Sequence, residues 1–189
     1  PEDMYYFVDC DIAALAPVIA APVSALIVMT AIALIALGLL MSTIHLGKPL
    51  RFYRGFNNLR HSPVSREGLG IVLFMTFAGL HFLAALPGNA WVQEYVGVLS
   101  AEWQNIASVI ATSTAGLAVI SAAVALYYMY RCYRIKARPF WDHKQTAFTF
   151  AGTVLNLGSA VVGIFAVPYL LLTGASAAPL LTLIGTLMA

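Results

Sequence analysis

Four long apolar runs alternate with polar connections along this chain, at about 23–45, 69–86, 106–130 and 147–172. Each is long enough to cross a bilayer as a helix, which takes about 20 apolar residues. Apolar sequence also precedes the first run, back to Ile12, broken by Pro17 and Pro22. One straight helix over all of it would outreach the bilayer. The spanning helix is therefore placed after Pro22, and residues 12–21 are read as a short interfacial or re-entrant piece. Pro87-Gly88-Asn89 ends the second run, and Tyr127-Tyr128-Met129-Tyr130 closes the third as an interfacial aromatic belt. Gly152, Gly158, Ser159 and Gly163 give the fourth run small residues that let helices approach closely. A last apolar run, 179–189, is too short to span. The pattern predicts an all-α polytopic transmembrane helix bundle over 1–189, with four full spans and a partial fifth. The missing initial methionine and the short last run are read as those of a piece of a longer protein.

The connection between the first two runs is the most polar stretch of the chain. It carries Lys48, Arg51, Arg54, Arg60 and Arg66 among Phe52, Tyr53 and Phe56. Gly47 ends the first helix, and Pro49 suits the first turn of another. Over 49–60, Leu50, Tyr53 and Phe56 recur every three residues, while Arg51, Arg54 and Asn58 line another side. That predicts a short helix lying in the membrane interface. Ser62-Pro63 then reads as a helix cap and first-turn pair.

Charge sharpens the topology. All ten Lys and Arg residues fall in the first and third connections. Of the eight acidic residues, only Glu67 and Asp142 lie there with them. Glu2, Asp3, Asp9 and Asp11 precede the first span among aromatics, and Glu94 and Glu102 lie in the middle connection with Trp91 and Trp103. Four spans account for this alternation, and the positive-inside rule puts the basic connections in the cytoplasm.

Composition agrees: 61% of residues are hydrophobic and 10% charged, where soluble domains carry about 25% charged residues. A basic surface at the bilayer fits lipid phosphate and a protein partner rather than nucleic acid. Cys10 and Cys132 fall at opposite membrane faces in this topology, so no disulfide is expected between them. Without a CxxC motif or Cys/His cluster, an iron–sulfur or zinc site in this chain is not expected either.

Chemistry is best placed at the basic end. His45 closes the first span and Glu67 opens the second, so the two can face one another at one membrane depth. A quinone or quinol site needs such a pair. Histidine hydrogen-bonds a head-group oxygen and titrates near neutral pH, and a carboxylate at the water boundary passes the proton on. Arg51 can hold that carboxylate ionised or steer a carbonyl. Simpler roles stay open: His45 capping helix carbonyls, Glu67 complementing the helix dipole, and the arginines gripping lipid phosphate. His81, inside the second span, reads as a hydrogen-bonded packing residue. No histidine at matching depth could complete a bis-histidine haem.

The stretch His45-Leu46-Gly47-Lys48-Pro49-Leu50-Arg51-Phe52, followed by Asn57, Asn58 and Ser65-Arg66-Glu67-Gly68, resembles the dimethyl sulfoxide reductase anchor-subunit family. More loosely, Arg131, Tyr133, Pro139, Trp141 and Gly158 continue the likeness, which extends distantly to the polysulfide reductase anchor. The resemblance implies an eight-helix membrane anchor of a molybdopterin oxidoreductase, here present only in part. It implies a bound menaquinone or ubiquinone, no haem or iron–sulfur cluster in the anchor, and docking of an iron–sulfur subunit beside a molybdopterin catalytic subunit. It ties His45 to quinol binding, with Arg51 and Glu67 as the next candidates, in a bacterial or archaeal cytoplasmic membrane. With the basic end read as cytoplasmic, the catalytic partner is expected there, which would resemble the sulfite-oxidising enzymes. That makes oxidation of a small sulfur compound such as sulfite the first expectation. Many relatives keep theirs outside, and reduction of a sulfoxide-type acceptor is the runner-up. The rival class is a transporter or structural anchor without a redox role.

Overall fold

In a computed structural model, which describes residues 22–44, 46–134 and 138–188, all regular structure is helical. Helix α1 runs Val23–Ile44, α2 Pro63–Ala85, α3 Ala90–Val96, α4 Ala101–Tyr133, α5 Lys144–Leu172 and α6 Ala178–Met188. Short 3-10 helices occupy Pro49–Asn58 and Leu86–Gly88. Among the described residues, four segments are long and apolar enough to cross a membrane: Val23–Ile44, Pro63–Gly88, Ala101–Tyr133 and Lys144–Leu172. Helix α6 is the shorter apolar helix expected near the end. The fold is thus an all-α polytopic membrane bundle. The acidic segment 1–11, the piece at 12–21, Cys10, His45 and Lys136 lie outside the described residues.

The helices outrun the apolar windows because caps and prolines, rather than hydropathy, set their ends. Ser62 caps α2 by accepting from the Ser65 amide at 3.3 Å, with Pro63 in the first position. The helix therefore begins before the apolar run and carries Arg66 and Glu67 within it. Helix α4 has 33 residues, about 50 Å at the usual rise, against a hydrocarbon core of about 30 Å. The excess length suits the charges at its two ends, Glu102 in the first turn and Arg131 in the last. At the far end of α5, Gly174 at φ 73° turns the chain. The Gly174 and Ala175 amides donate to the Leu171 and Leu170 carbonyls at 3.3 and 2.9 Å, a Schellman cap.

Helices α2 and α4 form the tightest pair. Ala111, Thr114, Ala118, Ser121 and Ala125 make a buried seam along α4, at alternating three- and four-residue steps. Gly70 and Ala78 are buried on α2. A Cβ on Gly70 would stand 2.9 Å from the Ala125 Cα, so the two backbones touch there. In lipid, where apolar side chains gain little by leaving their solvent, such close approach is what holds helices together.

The small residues of the fourth run mostly play a different part. Ser159 is buried, and Gly163 lies against the Ile184 side chain of α6, but Gly152 and Gly158 face open space. Helix α5 packs through Ala166 and Leu170, which with Val23, Ala177 and Leu180 form a core joining α1, α5 and α6. The remaining apolar faces point outward, as lipid-facing helices do. At that same end, the Asn89 side chain donates to the Pro22 carbonyl at 3.1 Å and accepts from the Trp91 amide at 3.0 Å. It ties the start of α1 to the connection after α2, and α1 and α2 are antiparallel neighbours.

Candidate functional site

The basic connection is docked rather than loose. Its three-residue repeat suits a 3-10 helix, whose three residues per turn stack every third side chain. Leu50, Tyr53 and Phe56 form one such ridge, and Arg51, Arg54 and Asn57 the next; Asn58, expected with the arginines, falls one position off it. Two contacts hold this helix on the start of α2, and a third holds the turn that follows it. The Ser65 hydroxyl donates to the Gly55 carbonyl. The Phe56 ring lies over Gly68, where a Cβ would meet its Cε1 at 3.2 Å. Arg66 donates from Nε to the Leu59 carbonyl at 2.7 Å and from Nη2 to the Arg60 carbonyl. Its guanidinium also lies 5.3 Å from the Tyr128 ring centroid, linking this corner to α4 as a cation–π contact.

Glu67 sits in the middle of these contacts, half-buried, between Arg66 and Gly68. The Cys132 thiol on α4 donates to its Oε2 at 3.3 Å. A dipole role in the first turn does not apply, because that turn contains no acidic residue and Glu67 lies beyond it. Arg51 is exposed on the docked 3-10 helix and forms no ion pair with Glu67; among the described residues the only ion pair joins Arg134 Nε to Asp142 at 2.8 Å. That carboxylate raises the pKa of the exposed Arg134 guanidinium, through its hydrogen bond first and its charge second. Of the three residues singled out in the sequence, the structure thus places Arg51 on an element fixed beside Glu67, while His45 is outside the described residues.

Cys132 was not recognisable as a member of this corner from the sequence, and Arg66, though part of the Ser65-Arg66-Glu67-Gly68 stretch, had no role assigned there. A lone thiol 65 positions away from its partner carries no periodic signal, and Arg66 looks like any interfacial arginine. His81 does what was expected of it in packing terms: its Nδ1–H donates to the Ala111 carbonyl on α4 at 2.9 Å. Thr114 shares that carbonyl at 3.0 Å.

A second concave feature opens where α5 begins, walled by Tyr133, Trp141 and Phe150. The Tyr133 ring meets Trp141 at 5.8 Å and Phe150 at 5.3 Å between centroids. His143 caps α5 by accepting the Gln145 amide on Nδ1 at 3.1 Å.

Together these features define a polytopic helical membrane protein whose basic end carries an ordered amphipathic segment beside a half-buried carboxylate. The family described as DMSO reductase anchor subunit (DmsC) matches residues 22–189, and the chain belongs to that family. A similar protein is the C component of the anaerobic dimethyl sulfoxide reductase of Haemophilus influenzae, 28% identical over 124 residues. The match covers 66% of this chain and 39% of that relative, so the chain spans well under half the relative's length. No solved structure matches it. The family expected from the His45-Leu46-Gly47 stretch is the one found.

Proposed function

We propose that the chain is the quinone-reactive part of a membrane anchor in a molybdopterin oxidoreductase. In this reading it exchanges electrons between the quinone pool and an iron–sulfur subunit docked on its basic end, beside a molybdopterin catalytic subunit. One observation carries it: the 3-10 helix bearing Arg51 and Arg54 is clamped onto the very turn of α2 that holds Glu67. Side chains on a rigid element can hold a head group in one pose, where a loose loop could not.

The available groups fit a quinone. A carbonyl-bearing ring takes hydrogen bonds from His45 and Arg51, and Glu67 receives a proton at the water boundary. Cys132 occupies Oε2, leaving Oε1 for that proton. A membrane quinol supplies two electrons and two protons on oxidation. Whether the pool is menaquinone or ubiquinone does not change these roles.

For the terminal substrate, the relative's name supports reduction of a sulfoxide-type acceptor by quinol. The charge distribution, with its cytoplasmic basic end, favours the sulfite-oxidising arrangement instead. We take the sulfoxide acceptor, because the charge rule is counted here over a minor share of a relative's length. Cysteine labelling at positions 58 and 97, in a bacterial cytoplasmic membrane, separates the two. Position 58 is expected to label from outside only; labelling from the cytoplasm alone would reinstate sulfite.

Charge reversal tests the docking role. Arg51→Glu with Arg54→Glu is expected to weaken retention of the partner subunits, or quinone affinity, by about tenfold, more than Arg138→Glu does. Survival of both in the double variant would leave the 3-10 helix as a lipid anchor and remove the reading.

A further inference from the structure

We propose that the aromatic pocket at the start of α5 is a binding site for a quinone ring, separate from the Glu67 corner and at the same membrane depth. The proposal rests on the quinone-reactive reading above and adds a place to it. The pocket is an open cleft of about 570 Å3, within the range of about 300–1,000 Å3 typical of small-molecule sites. It lies at the basic end, because its wall residue Tyr133 follows Cys132, whose thiol touches Glu67. Its lining residues Thr146, Thr149 and Phe150 belong to the first two turns of a membrane-spanning helix, so a ring on a lipid tail reaches it sideways from the bilayer.

The lining chooses among ligands. Among the described residues it contains no Lys, Arg, Asp or Glu. Of the described cations on the flanking segments, Arg134 is engaged with Asp142 and Arg138 lies over the Trp141 ring at 4.6 Å, while Lys144 lies between the lining residues His143 and Gln145. A neutral flat ring finds three aromatic walls that favour stacked or edge-on contact.

The polar groups present both senses of hydrogen bond. His143 accepts the Gln145 amide on Nδ1, so the neutral ring carries its proton on Nε2 and offers it as a donor to a carbonyl. The hydroxyl hydrogens of Thr146 and Thr149 are spent on the Trp141 and Gln145 carbonyls at 3.1 and 2.9 Å. What those hydroxyls have left are lone pairs, which accept from the O–H of a reduced ring. One pocket therefore suits both a quinone, whose carbonyls accept hydrogen bonds, and its two-electron, two-proton reduced quinol, whose hydroxyls donate them.

The test is photolabelling of the assembled complex in native membranes with azido-substituted naphthoquinone and benzoquinone, followed by peptide mapping. Adducts are expected within 138–150, and excess unlabelled quinone should displace them. His143→Ser keeps a helix-capping side chain but removes the Nε2–H; it should weaken labelling there by about tenfold, the worth of one hydrogen bond. Glu67→Gln should leave it unchanged. Displaceable adducts confined to 48–67 would overturn this pocket and keep the quinone-reactive reading. Adducts at 138–150 that unlabelled quinone cannot displace would mark mere partition of the probe into lipid, and would overturn it too. No displaceable adduct anywhere in the chain would remove both.

Discussion

Glu67→Gln is expected to lower quinol-dependent turnover by about a hundredfold, the lower range for loss of a general acid–base group. The amide keeps the shape of the carboxylate and an oxygen that accepts from the Cys132 thiol, so the contact between α2 and α4 at 3.3 Å survives. What it loses is the capacity to take a proton. Turnover driven by a soluble artificial donor, which bypasses the anchor, should therefore stay near the wild-type value in the same membranes. His45→Ala should give the same pattern, since a head group held between donor and acceptor needs both. Equal loss in the two assays would mean that assembly has failed and proton transfer was never at issue. No loss in either would take the chemistry away from this corner altogether.

Gly70→Leu is expected to prevent α2 and α4 from packing. Even the first added carbon would stand 2.9 Å from the Ala125 Cα and 3.0 Å from its amide nitrogen. Both are backbone atoms and cannot rotate away. Overpacking elsewhere costs about 1–3 kcal/mol where side chains can yield; a clash with a helix backbone should sit at or above the top of that range. Folded yield in membranes and the unfolding temperature in detergent should both fall sharply. Gly79→Leu is the control, because a Cβ on that glycine of the same helix meets nothing within 4 Å. Equal damage from both variants would show that glycine content, rather than the crossing at Gly70, governs stability.

Much of the fold could be read directly from the residues. Apolar runs of membrane length have few alternatives to helices, because lipid leaves backbone polar groups only each other for partners. The side-alternation of charge set the number of spans, and Ser62-Pro63 marked a helix start because capping is a local interaction within a few residues. The three-residue repeat of Leu50, Tyr53 and Phe56 likewise announced an ordered amphipathic segment. Its 3-10 winding, and the pinning of that segment by Ser65, Arg66 and Gly68, came only with the structure.

Pairing between helices was less legible for a physical reason. Both α4 and α5 are rich in small residues, and composition does not say which small residue meets another backbone. Only the tertiary structure singled out Ala111 to Ala125 on α4 as the close seam and left Gly152 and Gly158 in the open. Glu67 stood out from sequence by its charge near a span. Its partner Cys132 did not, because a contact between two helices far apart in the chain depends on the rotation of each about its axis, which distant packing decides.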